Sequence, residues 1–517
     1  MRYLDTRGLA GRPRTFSEAV LDGIAPGGGL YVPERLPHLD EAGVRGLAQL
    51  RYPARVERVL AAFEPDLAPD VLHAAVSGAY GAQFDDPAIA PVRDLGGGRF
   101  VLELWHGPTL AFKDMALQLM PRLFSAAIEG AKDGEAGVRA DGAADGASPE
   151  YLILVATSGD TGAAALEGFA DREHTRIAVL FPDAGVSSLQ ERQMTTRPGA
   201  NVRVFRVLGD FDACQTTVKA VFDDPAFAGE LGARRVSLSS ANSINWGRLL
   251  PQVAYYLSAC ADLQARGVLG AGQLVDVCVP TGNFGNVLAA WYARRMGAPI
   301  GRLIAASNTN NVLADFIATG VYDISARSLV KTPSPSMDIL VSSNLERLLF
   351  DLVGDPVRVR GWMADLRASE RFAVDAATLE LLRASFDGGW VDNAACLATI
   401  AKVQRERGYL LDPHTAVAWR VADELAEDRP MLIVATAHWS KFAADVTRAL
   451  TGQPPEAPMP TGDAELDLLA RVPQLAPGAS VPPQVETVLR RPVRFRESIP
   501  SGREALEGAL RGWLADG

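Results

Sequence analysis

Lys113 lies in the run Trp105-His106-Gly107-Pro108-Thr109-Leu110-Ala111-Phe112-Lys113-Asp114, with Leu110, Ala111 and Phe112 before it and Met115 and Ala116 after it. Apolar neighbours strip water from an ammonium, which lowers its pKa. A neutral amine is what a Schiff base with an aldehyde cofactor requires. The same spacing also suits a surface lysine paired with Asp114 near a helix start.

Two glycine-bearing loops each follow an apolar β-rich run. The first reads Thr157-Ser158-Gly159-Asp160-Thr161-Gly162. Its glycines let backbone amides turn inward where a helix begins, which suits a carboxylate. Ser158, Asp160 or Thr161 would equally serve as a helix cap. The second reads Thr281-Gly282-Asn283-Phe284-Gly285-Asn286 and leads into a helical pattern. Free amides and the helix dipole there favour a phosphate, and a plain strand-to-helix turn fits as well. The loop is not GxGxxG and no Walker lysine follows, which argues against a nucleotide.

Three further segments carry polar groups beside predicted elements. Thr436, in Ala435-Thr436-Ala437-His438-Trp439-Ser440-Lys441-Phe442, places a hydroxyl at a strand end, with His438 and Lys441 as supporting or structural groups. In Ser342-Ser343-Asn344-Leu345-Glu346-Arg347, amide donors beside a guanidinium suit a phosphate, and the same residues suit a cap with a solvated face. Ser240-Ala241-Asn242-Ser243-Ile244-Asn245-Trp246-Gly247-Arg248 is similar and leads into a long helix.

These groups need a frame. Residues 1–90 read as a small leading region, with Gly27-Gly28-Gly29 before Leu30-Tyr31-Val32-Pro33 and helical patterns near 41–49 and 54–63. Beyond it, strands are expected at 100–104, 151–156, 177–181, 202–207, 274–279, 303–306 and 431–435. Helices are expected at 114–128, 162–170, 188–196, 213–223, 246–266, 286–297, 310–318 and 344–353. Wholly apolar strands spaced by helices predict an α/β core with largely parallel sheets, whose ligands sit beyond the carboxyl ends of the strands. This catalytic region is expected over 91–452 as two subdomains, interrupted at 130–149 by a Gly-, Ala- and Asp-rich mobile insertion. A Pro-rich extension, 453–517, is expected to wrap the surface.

Of the 517 residues, 48% are hydrophobic and 22% charged, a globular balance, and the formal net charge is −11. An acidic chain has no general attraction for nucleic acid or anionic membranes, so an anionic substrate needs a local cationic site. No run is long enough to span a bilayer, and the first residues lack the layout of a secretory signal. Cys214, Cys260, Cys278 and Cys396 are scattered without zinc spacing. The simple expectation is a soluble, cytoplasmic chain with reduced thiols and no bound metal.

Taken together and in order, the segments DGIAPGGGLYVPE, HGPTLAFKD, TSGDTG, SANSIN, PTGNFGN, SMDILVSSNLERLLF and the TAH near 436 resemble the longer, bacterial and fungal branch of the threonine synthases. These are fold-type II pyridoxal phosphate enzymes similar to tryptophan synthase β. The resemblance implies two α/β domains around largely parallel sheets, plus a small N-terminal domain. It implies that Lys113 binds pyridoxal 5'-phosphate covalently, that Gly282, Asn283, Phe284, Gly285 and Asn286 cradle the cofactor phosphate, and that Thr436 meets the pyridine nitrogen. Ser158, Gly159, Asp160 and Thr161 would receive the substrate carboxylate, and Asn344 and Arg347, with Arg248 as an additional candidate, the substrate phosphate. The implied reaction converts O-phospho-L-homoserine and water to L-threonine and phosphate by β,γ-elimination and β-addition of water, in a monomer or homodimer. The sequence departs from the family at His438-Trp439-Ser440-Lys441-Phe442, where the family often has His-Pro-Ala-Lys-Phe. The competing readings are a serine or threonine dehydratase-type lyase and a non-catalytic metabolite-binding relative.

Overall fold

The computed structural model describes residues 1–132, 149–183 and 185–515. The insertion expected at 130–149 falls largely outside the described residues, which exclude 133–148.

The apolar runs become strands buried on both faces. In β9 (Val275–Pro280) all six residues are buried, and in β5 (Glu150–Ala156) all but the first. Strands of this kind need cover on each face, which crossover helices supply. Two main sheets result, with strands numbered along the chain; β11 (Val321–Asp323) and β12 (Arg371–Ala373) form a separate antiparallel pair. The first has six strands in the order β13 (Phe386–Trp390), β10 (Ile300–Ser307), β9, β14 (Met431–Ala435), β4 (Arg99–Glu103) and β3 (Val92–Asp94). It is parallel except for the antiparallel pair β3 and β4. The second has the order β15 (Ser498–Pro500), β7 (Val202–Leu208), β6 (Thr175–Pro182), β5 and β8 (Val236–Ser239), all parallel. Parallel pairing makes Thr157, Thr281 and Thr436 each leave a sheet at the carboxyl end of a strand. The expected pair of α/β domains around largely parallel sheets is therefore the observed architecture.

Helix Trp246–Ala265 is buried along nearly its whole circumference. The leading region, which carries the antiparallel pair β1 (Tyr3–Asp5) and β2 (Tyr31–Pro33), packs against its start. Tyr3, Phe63 and Tyr292 ring the Trp246 indole at centroid distances of 5.5, 5.9 and 6.0 Å. Polar contacts complete the joint. Glu346 accepts from Arg7 Nε at 2.9 Å, Arg7 Nη2 at 2.7 Å and Thr6 Oγ1 at 2.6 Å.

The C-terminal segment does more than wrap the surface. Gly452, at φ 69°, ends helix Ala443–Thr451, and Pro483 begins helix Pro483–Arg490. The chain then adds β15 to the open edge of β7, and helix Arg503–Ala515 sets Leu506 and Leu510 into the core that holds Phe205 and Val207. Covering a sheet edge removes a site for unwanted strand pairing.

Glu346→Ala leaves the partly buried guanidinium of Arg7 without its buried carboxylate. It should cost about 1–3 kcal/mol of unfolding free energy, seen as a lowered urea midpoint. An unchanged midpoint would show that the joint does not depend on this pair.

Candidate active site

A cavity of about 300 Å³ opens where the two sheets present their carboxyl edges. Lys113, Ser158, Thr161, Arg248, the 281–286 loop and Thr436 all line it. The lysine is 7% exposed, its Nζ 4.8 Å from the centroid of the Phe112 ring. Burial lowers its pKa, and the neighbouring carboxylate of Asp160 only partly opposes that shift.

Asp160 lies at the centre of the polar contacts. Its Oδ2 accepts from Lys113 Nζ at 3.0 Å and from Ser336 Oγ at 3.1 Å. Its Oδ1 accepts from Gln190 Nε2 at 2.8 Å and pairs with Lys441 Nζ at 3.0 Å. Burial opposes its charge, yet the two lysines hold its carboxyl well below the usual carboxylate range. Lys441 is fully buried and fixed by donation to Thr109 O at 2.7 Å and Gln193 Oε1 at 2.8 Å. Gly159 makes the approach of Gln190 possible: its φ is 124°, and a Cβ there would lie 2.5 Å from Gln190 Cδ.

The 281–286 loop is wired from behind. Gly282 O accepts from Ser342 Oγ at 2.8 Å, and Asn283 O accepts from Asn344 N and Nδ2, both at 3.1 Å. In a trans peptide the next N–H points the opposite way, so the amides of Asn283 and Phe284 point away from Ser342 and Asn344. Phe284 adopts φ 62°, a strained conformation for a side-chain-bearing residue, and helix Gly285–Arg295 starts there with its first-turn amides unbonded by other turns. Asn286 Oδ1 accepts from Tyr255 OH at 2.5 Å and Tyr256 OH at 2.6 Å, while its buried Nδ2 has no partner.

Arg248 and Arg347 separate clearly. Both are buried, and burial brings each down to about 10. Arg248 lines the cavity, donates to Ala241 O at 3.0 Å and Thr161 Oγ1 at 3.2 Å, and has no carboxylate partner among the described residues. Arg347 is 0% exposed and donates to Tyr31 O at 3.0 Å, Asn344 Oδ1 at 2.5 Å and Ile244 O at 2.5 Å. Neither Arg347 nor Asn344 lines the cavity; Asn344 braces the 281–286 loop and Arg347 holds Asn344. The 158–161 segment also divides. Gly159 donates its N–H to Thr157 Oγ1 at 2.9 Å, and Asp160 is itself an anion facing Lys113. Ser158, Asp160 and Thr161 line the cavity, and Gly159 lies between them.

Comparison with known proteins decides the family. The model described as Threonine synthase N terminus matches residues 2–80, that of the Pyridoxal-phosphate dependent enzyme family residues 88–437, and that of Threonine synthase, C-terminal, residues 415–498. A threonine synthase of Pseudomonas aeruginosa is 40% identical over 467 residues, 90% of this chain and 93% of that protein. The chain belongs to the threonine synthase family. The crystal structure of PLP-bound threonine synthase from Brucella melitensis superposes with a TM-score of 0.83 at 36% identity, covering 99% of each chain. Human threonine synthase-like 1 is 44% identical over 449 residues, 84% of this chain, and the chain spans 58% of the length of that relative.

Pyridoxal phosphate is the cofactor of this threonine synthase fold, and the described residues fit it. They offer one buried amine on the cavity for its aldehyde, an orphaned buried amide at Asn286 within a cavity-lining loop for its phosphate, and a strand-end hydroxyl at Thr436. Sequence reasoning gave no role to Ser336 or His414, both of which line the cavity. Ser336 is the first residue of the SMDIL stretch, and no glycine-loop or cap pattern marks it. His414 follows Asp412, whose carboxylate caps helix Pro413–Glu424 by accepting from His414 N at 2.9 Å.

Behind the site, burial disfavours a charged His106, but Asp85 at 2.6 Å and Glu103 at 3.0 Å outweigh it and raise the imidazole to about 9. His438, edge-on to Trp105 at 4.8 Å, is depressed to about 3 by burial. His106 stabilises the fold fully below the ordinary value of 6.5, and its contribution is lost as pH rises through about 9. His438 contributes above 6.5, and loses that contribution as pH falls toward 3. The two limbs meet near 6.5. A thermal-melting series against pH should show His106→Gln flattening the alkaline decline by on the order of 3 kcal/mol and sparing the acid limb. An alkaline limb unchanged in that variant would refute the assignment.

Proposed function

We propose that the protein converts O-phospho-L-homoserine and water to L-threonine and phosphate, using pyridoxal 5'-phosphate carried on Lys113. The observation that carries this reading is the pairing of one desolvated amine with one buried guanidinium, Arg248, that has no carboxylate partner among the described residues and opens on the same cavity. A buried cation without a counter-ion is costly, and an anionic ligand removes that cost.

When bound, the cofactor supplies an electron sink for protons leaving next to the substrate amine carbon. Lys113 Nζ, held by Asp160 and Ser336, is the base that takes and returns those protons, and one base in reach of adjacent carbons serves several transfers. Arg248, with Thr161, holds the substrate's phosphate and offsets the charge that builds as it departs. Ser158 and the amides around it take the substrate carboxylate. Gly282, Asn283, Phe284, Gly285 and Asn286 grip the cofactor phosphate, and Thr436 offers a neutral hydroxyl at the ring nitrogen. Phe112, Ile339 and Val341 form the apolar part of the wall and limit water at the reacting carbons. No helix among the described residues is long and apolar enough to cross a membrane, and the four cysteines are free and buried, which supports placing the protein in the cytoplasm.

Phosphate release from O-phospho-L-homoserine, with threonine identified as product, tests the reaction; ammonia and a keto acid without phosphate would mark a dehydratase instead. Lys113→Ala should remove the borohydride-fixed cofactor label and lower turnover roughly 1,000-fold or more, and undiminished turnover would refute the role given to Lys113. Arg248→Ala should raise KM for the phosphorylated substrate roughly 10- to 100-fold while moving cofactor affinity less. The opposite order of effects would place Arg248 on the cofactor.

A further inference from the structure

Three polar atoms close a triangle at the lysine: Lys113 Nζ to Asp160 Oδ2 at 3.0 Å, Lys113 Nζ to Ser336 Oγ at 3.2 Å, and Ser336 Oγ to Asp160 Oδ2 at 3.1 Å. A hydroxyl has one proton. Asp160 is the acceptor for it, which leaves a lone pair of Ser336 Oγ to accept from Nζ. The amine is thus gripped by two acceptors carried on different domains' loops, and its remaining valence is directed away from them. We propose that Ser336 is a positioning residue that fixes the direction and proton affinity of the Lys113 amine whenever that amine is free of the cofactor. The inference rests on the reading of Lys113 as the cofactor-bearing lysine.

Ser336 is itself held on two sides. Its backbone N–H donates to His414 Nε2 at 3.2 Å, which leaves the proton of a neutral imidazole on Nδ1, facing Asp412 Oδ1 at 2.9 Å. Its carbonyl packs against the phosphate loop so closely that a Cβ on Gly282 would lie 2.7 Å from Ser336 O. Any larger residue at 282 would push the 334–337 turn, and with it the hydroxyl, off the lysine. The same turn is anchored by Asp338, whose Oδ1 accepts from Asn308 Nδ2 at 2.8 Å and Thr332 Oγ1 at 2.7 Å. The loop for the cofactor's phosphate and the amine for its aldehyde are thereby set by one contact, so the two ends of one ligand are placed to a common template.

The titratable and charged groups facing this amine from the surrounding elements are Asp160, Lys441, Arg248 and His414, together with Asp412 and Asp338 behind the imidazole and the turn. Ser336 is the one neutral member within hydrogen-bond reach of Nζ, so it can be replaced without changing formal charge. A hydrogen bond accepted from the ammonium favours the charged form. Removing it lowers the pKa of the free amine and loosens its aim.

The test uses full-length protein stripped of cofactor and reloaded with pyridoxal 5'-phosphate across a pH series. Borohydride reduction at timed intervals fixes the attached cofactor, and peptide mass spectrometry locates the label. In Ser336→Ala the midpoint of the attachment-rate profile should move to lower pH by about half a unit or more, with a several-fold lower plateau rate. Ser336→Thr should restore both. Ser336→Cys, which keeps the shape but accepts hydrogen bonds poorly, should shift the midpoint in the same direction, and serves if the alanine variant does not fold. A midpoint unchanged in the folded alanine or cysteine variant, whatever happens to the plateau, overturns the proposal. Label on a lysine other than 113 in the unsubstituted protein overturns the reading of Lys113 itself, a result distinct from an unmoved midpoint.

Discussion

One buried carboxylate, that of Asp160, lets a lysine sit ready inside an otherwise desolvated site. An ammonium moved from water into a protein interior without a partner costs several kcal/mol, and the usual relief is to lose its proton. Asp160 supplies the partner, and Lys441 and Gln190 supply the other half of its coordination, so the carboxylate stays in place when Lys113 moves. Lys441 and Lys113 use different oxygens of the same group, Oδ1 and Oδ2. The first contact is locked by Thr109 and Gln193, whereas the second opens on the cavity. The fixed lysine orients the carboxylate, and the carboxylate orients the free one.

Around this pair the cavity is more cationic than the chain that encloses it. The whole sequence carries a formal net charge of −11, yet Lys113, Lys441 and Arg248 converge near a single carboxylate. In a low-dielectric cleft such an excess draws anions and holds them more firmly than the same charges would at the surface. Phosphate-bearing ligands are therefore favoured twice, by the arginine and by the helix start at Gly285, while the acidic exterior discourages polyanions from binding elsewhere.

The parts of this arrangement that were legible in the sequence share a physical reason. Central strands are buried on both faces, so β5, β6, β9 and β14 show as largely apolar runs, and the glycine loops directly after β5 and β9 line the cavity. Edge strands leave weaker marks. β8 is only four residues long with its two middle positions open, and β13 reads Phe-Asp-Gly-Gly-Trp with a half-exposed tryptophan. At the proline-rich end composition hides spacing: Leu506 and Leu510 stand one helical turn apart and enter the core. Ser336 escaped notice because its role depends on a contact with Lys113 across 223 residues of chain. That separation leaves no local pattern.

Arg347 shows why a guanidinium's chemistry cannot be read from its neighbours in sequence. It and Arg248 are both buried near the site, and burial depresses both to about 10, so the electrostatics of desolvation do not distinguish them. What distinguishes them is where their donors go. Arg347 spends each of its three nitrogens on a protein oxygen, two of them backbone carbonyls reached across the leading region and the start of the long helix. An arginine satisfied in this way is a bracket, and here it braces the phosphate loop through Asn344. Among the described residues Arg248 has only Ala241 O and Thr161 Oγ1 as acceptors, on a group with five N–H donors. It lines the cavity that also holds Lys113, and in the proposed reaction the substrate's phosphate would complete there the coordination that the protein leaves unfinished.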